Sequence, residues 1–93
     1  MQANQYQLLA KYFLEDGTTP ETLFTGLAAE VGEVMSERVK ETRNGEQRTV
    51  EVIDELSDVL WYVTMIAYTR GYSLEGVMNF GIHKLEERER YGK

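Results

Sequence analysis

The sequence LAAEVGEVMSE, residues 27–37, places two acids three positions apart within a largely apolar run. The sequence DELSDVLWYV, residues 54–63, repeats this arrangement. Residues three apart lie on the same face of an α-helix, so each stretch predicts a helix with a pair of carboxylates on one side. Two such helices packed together would direct four carboxylates at one another. These four are Glu30, Glu33, Glu55 and Asp58.

A cluster of four carboxylates predicts a bound cation, because the acids repel one another and resist desolvation. Mg²⁺, with Mn²⁺ as the alternative, fits best, since both are hard ions that prefer oxygen ligands. The competing interpretation is a solvated helix face, because acids make up 16 of the 93 residues and such spacings arise by chance. The apolar and small residues around both pairs favour the metal site.

The rest of the pattern predicts an all-α fold, a four-helix bundle-like protomer that is oligomeric. Apolar residues at helical spacing indicate helices over about residues 2–15, 20–42, 46–70 and 74–90. Thr19-Pro20 and Ser73 predict helix starts, with a Thr18/Glu21 capping box as an alternative for the first of them. The third helix is apolar on most sides, which predicts burial within a homodimer or homotetramer. We expect one helical domain over residues 1–93.

Composition excludes several classes of protein. The net charge of −6 argues against a partner that is a nucleic acid polymer or an anionic membrane. The chain has no cysteine, which excludes disulfides, zinc thiolates and a cysteine nucleophile. The longest apolar run, 59–63, is too short to span a bilayer, and the N-terminus lacks the features of a signal peptide. These features predict a cytoplasmic protein.

Two strings resemble the motifs of a known family. GLAAEVGEV at residues 26–34 and DELSDVLWY at residues 54–62 are similar to the first and second motifs of the all-α nucleoside triphosphate pyrophosphohydrolases, the MazG-like superfamily. The resemblance extends from about Leu23 to Gly71. It implies helical dimers, or dimers of dimers, that cleave nucleoside triphosphates to monophosphate and pyrophosphate with Mg²⁺, with a role in nucleotide-pool house-cleaning.

The resemblance also implies site residues. Glu30, Glu33, Glu55 and Asp58 match the motifs as metal ligands, and the catalytic role is assigned to the Glu30/Glu33 pair. Two positions depart from the pattern of many relatives. Ala29 stands where they carry a second glutamate, and Gly81 stands where they carry an asparagine three residues before Lys84.

Further candidates each have a functional and a structural interpretation. Lys84 and Arg88 are spaced to bind phosphates, or they are ordinary cations near a helix C-terminus. Trp61 stacks on a base, or it packs in the core or an interface. Glu37 and Glu51 are extra ligands or a general base, or they form salt bridges with Arg38, Lys40 or Arg48.

Two other functions remain open from the sequence. One is a non-catalytic acidic helical oligomer or metal-binding interaction protein. The other is phosphoribosyl-ATP pyrophosphohydrolase, whose family shares the acid-rich helices, although Trp61-Tyr62 fits the MazG-like motif better. The sequence does not identify the substrate nucleotide.

Overall fold

The computed structural model describes residues 1–92 and contains four α-helices. A short 3-10 helix follows the first α-helix, and no β-strand forms within residues 1–92. The prediction of an all-α fold is therefore confirmed. The helices are α1 (Ala3–Ala10), α2 (Pro20–Asn44), α3 (Thr49–Thr69) and α4 (Leu74–Tyr91), with the 3-10 helix at Lys11–Phe13.

The predicted helix caps at Thr19 and Ser73 are both present. The backbone N–H of Thr22 donates to Thr19 Oγ1 at 3.2 Å, and the N–H of Gly76 donates to Ser73 Oγ at 2.9 Å. The alternative capping box does not form, because the Thr18 hydroxyl instead donates to the carbonyl of Glu15 at 2.6 Å.

Helix α3 begins three residues later than predicted. The Glu41 side chain accepts the backbone N–H of Arg48 at 2.6 Å, and Gly45 ends α2 with a φ of 72°. These contacts hold residues 46–48 in a turn that joins α2 to α3 as an antiparallel hairpin. The cap comes from a side chain seven residues away, which a local sequence pattern does not reveal.

The core lies between α1, the start of α2 and the end of α3. Ala10, Leu23 and Met65 are buried there, with Tyr6, Leu14, Trp61, Tyr62 and Ile66 packed around them. The buried Gln7 joins α1 to α4: its amide donates to the carbonyl of Tyr72 at 3.0 Å and accepts the N–H of Leu74 at 2.9 Å. These contacts fix α1 across one side of α3.

The protomer by itself covers only part of α3, so the prediction that this helix is buried on most sides within an oligomer stays a prediction. Within α3 only Thr64, Met65 and Ala67 are buried, because α1 is too short to cover more of it. The predicted apolar stripe of α1 is also only partly buried, since the chain leaves the α-helix after Ala10 and turns Phe13 outward. Every residue from 82 to 92 in α4 and its cap is exposed.

None of the α-helices within residues 1–92 combines the length and the apolar character that a bilayer span requires.

Candidate metal centre

Three of the four predicted carboxylates lie together on one edge of the α2–α3 hairpin. One oxygen from each of Glu30, Glu55 and Asp58 lies within 4.8 Å of the others. Glu30 comes from the middle of α2, and the other two come from the facing turn of α3. Glu30 and Glu55 are half-buried, whereas Asp58 is exposed, so the cluster is open to solvent on one side.

The environment of these carboxylates opposes their ionisation. Burial raises the pKa of Glu30, and the negative charges of Asp58, Glu33 and Asp54 raise it further. Burial also raises the pKa of Glu55, with the neighbouring acids adding to the effect. None of the groups that shift these two pKa values is a cation. The cluster is thus a site where a bound cation would relieve both repulsion and desolvation.

The donor set fits a hard divalent cation. Mg²⁺ takes oxygen ligands at about 2.1 Å, so any two oxygens bound to one ion lie no more than about 4.2 Å apart. The three carboxylate oxygens lie within 4.8 Å of one another, so side-chain movements that bring them closer would let one ion bind all three. Zinc sites instead favour cysteine and histidine ligands, and neither residue type takes part here.

Glu33 lies beside the cluster rather than in it. Its side chain is exposed, and it is not among the three acids whose oxygens converge. Its charge nevertheless contributes to the raised pKa of both Glu30 and Glu55. Its assignment as a ligand or as a catalytic base stays a prediction.

Glu37 and Glu51 lie next to Arg48, towards the hairpin turn. Arg48 Nε donates to Glu37 Oε1 at 2.7 Å, and Lys40 Nζ donates to Glu37 Oε2 at 3.3 Å. The hydrogen bond from Arg48 is the main reason that the pKa of Glu37 is lowered. Glu51 lies 4.0 Å from Arg48. Both carboxylate oxygens of Glu37 therefore have cationic partners within the chain, as its structural interpretation expects.

Trp61 packs into the protomer. Its indole N–H donates to the carbonyl of Ala10 at 3.1 Å, and its ring meets Tyr62 edge-on at a centroid distance of 5.0 Å. Lys84 and Arg88 are exposed on α4, and neither is among the charges that shift the pKa of Glu30 or Glu55. A role for these cations at the cluster therefore stays a prediction.

An open pocket of about 260 Å³ lies near the cluster, between the start of α2 and the end of α3. Trp61 and Tyr62 line it, about one helical turn along α3 from Asp58 and about two from Glu55. Its other lining residues include Phe13, Glu15, Thr18 and Thr22. The pocket thus offers aromatic rings, hydroxyl groups and one carboxylate one to two helical turns from the cluster.

Two residues near the carboxylate cluster, Tyr6 and Gly26, were not predicted from the sequence to lie there. Burial raises the pKa of Tyr6, the charge of Asp58 adds to this, and a hydrogen bond with Thr64 opposes it. Gly26 faces the ring of Tyr62 so closely that a Cβ atom there would overlap the ring. Gly26 was noted only as a small neighbour of the first acid pair. Asp58, whose charge acts on the pKa of Tyr6, lies 52 positions further along the chain, so local spacing does not predict that the two are near each other.

Comparison with known protein families matches most of the chain. The model of the MazG nucleotide pyrophosphohydrolase domain matches residues 18–92, which include α2, α3, α4 and the whole carboxylate cluster. No curated protein and no solved structure gave a match. The chain belongs to the family of the MazG nucleotide pyrophosphohydrolase domain.

Proposed function

We propose that this protein is a Mg²⁺-dependent nucleoside triphosphate pyrophosphohydrolase. Its reaction adds water across the bond between the α- and β-phosphates of a (d)NTP and yields (d)NMP and pyrophosphate. The observation that carries the proposal is the convergence of Glu30, Glu55 and Asp58 in a chain of the MazG family.

The three converging carboxylates are the proposed ligands of the metal. A bound Mg²⁺ would supply positive charge for phosphate oxygens and would lower the pKa of a bound water. Because the pKa values of Glu30 and Glu55 are raised, these side chains hold protons more readily without metal and release them when it binds. We therefore expect metal affinity to fall as the pH falls.

Glu33 is our candidate for the general base. It is exposed, it lies beside the cluster, and in the described part of the chain it has no salt bridge of the kind that Glu37 forms. A carboxylate in this position can orient a water molecule and accept its proton. The nearby pocket would receive the nucleoside, with Trp61 as one wall.

The wider proposal covers the remaining features. Lys84 and Arg88 would contact phosphates that the metal does not reach. The protein would act in the cytoplasm as a homodimer or homotetramer and remove unwanted nucleotides from the pool. These assignments rest on the similarity to the MazG family and on the exposure of the Lys84 and Arg88 side chains.

A pyrophosphate-release screen tests the activity. The protein would be incubated with a panel of NTPs, dNTPs and phosphoribosyl-ATP, each with Mg²⁺, with Mn²⁺ and with EDTA. We expect metal-dependent release of pyrophosphate from at least one NTP or dNTP. Turnover of phosphoribosyl-ATP alone would favour that related family. Metal binding without turnover of any substrate would favour a non-catalytic role.

Variants of the acids separate the proposed roles. Asp58→Asn should lose turnover and weaken metal binding, whereas Glu33→Gln should bind metal normally and lose about 10²-fold or more in kcat. Glu89→Gln, an exposed change on α4, serves as the matched control and should remain active. Near wild-type turnover in both Asp58→Asn and Glu33→Gln would remove the proposed site.

A further inference from the structure

The pocket between the start of α2 and the end of α3 lies on the same side of the hairpin as the carboxylate cluster. On α3, Tyr62 follows Asp58 by four residues and Glu55 by seven, so the three share one helix face. On α2, Gly26 precedes Glu30 by four residues and faces the Tyr62 ring. A helical turn rises about 5.4 Å, so the pocket begins about 5–11 Å from the cluster along α3.

The size and the aromatic lining of this pocket suit one nucleobase. Its volume of about 260 Å³ is below the roughly 300 Å³ at which pockets for drug-sized ligands begin, so it fits a flat ring system better than a whole nucleotide. Phe13, Trp61 and Tyr62 supply aromatic rings, on which any base can stack. With phosphates at the cluster and a base in the pocket, the sugar would lie between them.

Contacts on both sides hold the segment that carries Phe13 and Glu15 next to the pocket. Before this segment, the indole N–H of Trp61 donates to the Ala10 carbonyl at 3.1 Å and ties the end of α1 to α3. After it, the backbone N–H and the hydroxyl of Thr18 donate to the Glu15 carbonyl at 3.2 Å and 2.6 Å and close a turn. The backbone of Glu15 is therefore fixed beside the pocket.

The polar groups of the pocket can distinguish one base from another. Of the described residues that line it, Glu15 alone carries a charge. The Glu15 side chain is exposed and forms no salt bridge within residues 1–92. The Trp61 N–H and the Thr18 hydroxyl already donate to backbone carbonyls. The strongest hydrogen-bonding group left for a ligand is thus the Glu15 carboxylate, which only accepts.

A carboxylate favours a base that presents two N–H donors side by side, because both of its oxygens accept. Guanine has such a pair on its Watson–Crick edge, the ring N1–H and the N2 amino group. Adenine and cytosine place a ring nitrogen acceptor beside their amino group, and uracil and thymine place carbonyl oxygens on both sides of their ring N–H. A carboxylate repels these acceptors, so each of the other bases would lose a hydrogen bond and gain a mismatch.

We propose that Glu15 makes this protein selective for guanine nucleotides by accepting the N1–H and N2 amino hydrogens of the base. The inference rests on the proposed function, because it takes the pocket as the place where the nucleoside of the substrate binds. The selectivity belongs to this chain rather than to its family, since the family match covers residues 18–92 and Phe13 and Glu15 precede it.

Steady-state hydrolysis of dGTP and dITP with Mg²⁺ tests the proposal. The two substrates differ only in the N2 amino group, which hypoxanthine lacks. We expect kcat/KM to be about tenfold higher for dGTP, because dITP loses one hydrogen bond to a charged acceptor. Among the standard dNTPs, dGTP should also be the best substrate. Equal kcat/KM values for dGTP and dITP would overturn the guanine preference and leave the pyrophosphohydrolase activity in place.

Glu15→Gln should change the base preference rather than abolish activity. The glutamine amide presents one donor and one acceptor, the arrangement that pairs with adenine. The preference for dGTP over dITP should fall about tenfold, and dATP should gain relative to dGTP. Glu21→Gln is the matched control, because it removes the same charge from an exposed residue of α2 outside the pocket, and it should keep the wild-type preference. A Glu15→Gln variant with the wild-type preference would contradict the proposal.

The fluorescence of Trp61 tests the pocket without turnover. Trp61 is the only tryptophan of the chain, so quenching of its emission reports a base stacked in the pocket. With Mg²⁺ and correction for nucleotide absorption, dGMP should bind about tenfold more tightly than dIMP, and Glu15→Gln should remove this difference.

This measurement separates failure of the base preference from failure of the proposed function. Selective quenching by dGMP in a protein that hydrolyses no triphosphate would support the base preference and refute the proposed activity. Hydrolysis of dNTPs with equal binding of dGMP and dIMP would refute the base preference alone. A protein that shows neither hydrolysis nor quenching by any nucleotide would refute both.

Discussion

Glu55 and Glu37 lie on the same hairpin, yet their pKa values shift in opposite directions. Burial and neighbouring acids raise the pKa of Glu55, whereas hydrogen bonds from Arg48 and Lys40 lower that of Glu37. Glu37 is the more deeply buried of the two, with 6% of its surface exposed. The nearby charges therefore decide the direction of the shift, and only the Glu55 side of the hairpin needs a cation from outside the chain.

Replacing Glu55 with Gln is expected to raise the melting temperature of the metal-free protein at neutral pH. Because the folded state raises this pKa, the unfolded chain loses its proton first as the pH rises, and ionised Glu55 then disfavours folding. The gain in the variant should disappear below the ordinary pKa of 4.5, where the side chain is protonated in both states. The difference in melting temperature between the variant and the wild type is measured by thermal unfolding in EDTA, followed by circular dichroism.

Mg²⁺ provides the control for this experiment. An ion that binds only the folded state should stabilise the wild-type protein and have less effect on Glu55→Gln. A variant that melts below the wild type at neutral pH in EDTA would show that Glu55 has a stabilising partner within the chain. The proposal that repulsion in the cluster favours a bound metal would then be contradicted.

At the scale of elements, the salt bridges beside the turn hold α2 to α3. Replacing Arg48 with Ala leaves the buried Glu37 with Lys40 as its remaining cation, so we expect the melting temperature to fall. Since the folded state lowers the pKa of Glu37, this contribution is complete above the ordinary value of 4.5 and is lost as the pH falls through the folded pKa. The destabilisation by Arg48→Ala should therefore shrink in acid.

Arg43→Ala is the matched control for Arg48→Ala, because Arg43 is exposed in the last turn of α2 and forms no salt bridge within residues 1–92. Comparable melting temperatures for the two variants across the pH range would mean that the Glu37–Arg48 contact contributes nothing measurable to the hairpin.

Substitutions of two glycines in α2 give a second test of how α2 packs on α3. Gly26→Ala should destabilise the protein by about 1–3 kcal/mol, because its Cβ would overlap the Tyr62 ring and force the helices to repack. Gly32→Ala should stabilise it by about 1 kcal/mol, since no atom lies within 4 Å of the added Cβ and alanine favours a helix interior. Urea unfolding of both variants measures the difference, and the reverse order would refute the assigned helix contact.

The sequence predicts local structure well where a local pattern determines it. Thr19 and Ser73 begin helices because their hydroxyls accept N–H groups three residues ahead. The start of α3 was misplaced because Glu41, in another helix, holds the turn. Spacing also suggested that Glu33 joins the cluster, but residues three apart share a broad face, and only the packed helices show which oxygens converge.

For the molecule as a whole, the apolar residues of α3 predict more buried surface than a single protomer contains. A helix that is apolar on most sides is expected to be buried on most sides, and another subunit can provide part of that burial. In the protomer α1 covers one side only, and large apolar side chains such as Ile53 and Leu60 stay exposed. No pattern within one chain distinguishes burial in the core from burial in an interface, so the sequence predicts that α3 is covered but not how that cover divides between the protomer and another subunit.

Because the net charge is −6, we expect nucleotide binding to depend on metal. A triphosphate is repelled at long range by an acidic protein, so we expect calorimetry to show tight binding of the metal–nucleotide complex and weak binding of nucleotide in EDTA. Equal affinity under both conditions would contradict the carboxylate mechanism.

Lys84 and Arg88 would then act on phosphates beyond the reach of the metal. Replacing both with Ala should raise KM or lower kcat by about tenfold or more, because one charge-assisted hydrogen bond is worth roughly 1.5–3 kcal/mol, and it should leave metal affinity unchanged. Lys11→Ala with Arg43→Ala removes the same charge elsewhere and isolates the loss of long-range attraction. If the two double variants hydrolyse the best substrate equally well, Lys84 and Arg88 contribute only their charge. A selective loss in the Lys84/Arg88 variant would place α4 at the substrate, although in the protomer all residues beyond 81 in this helix are exposed.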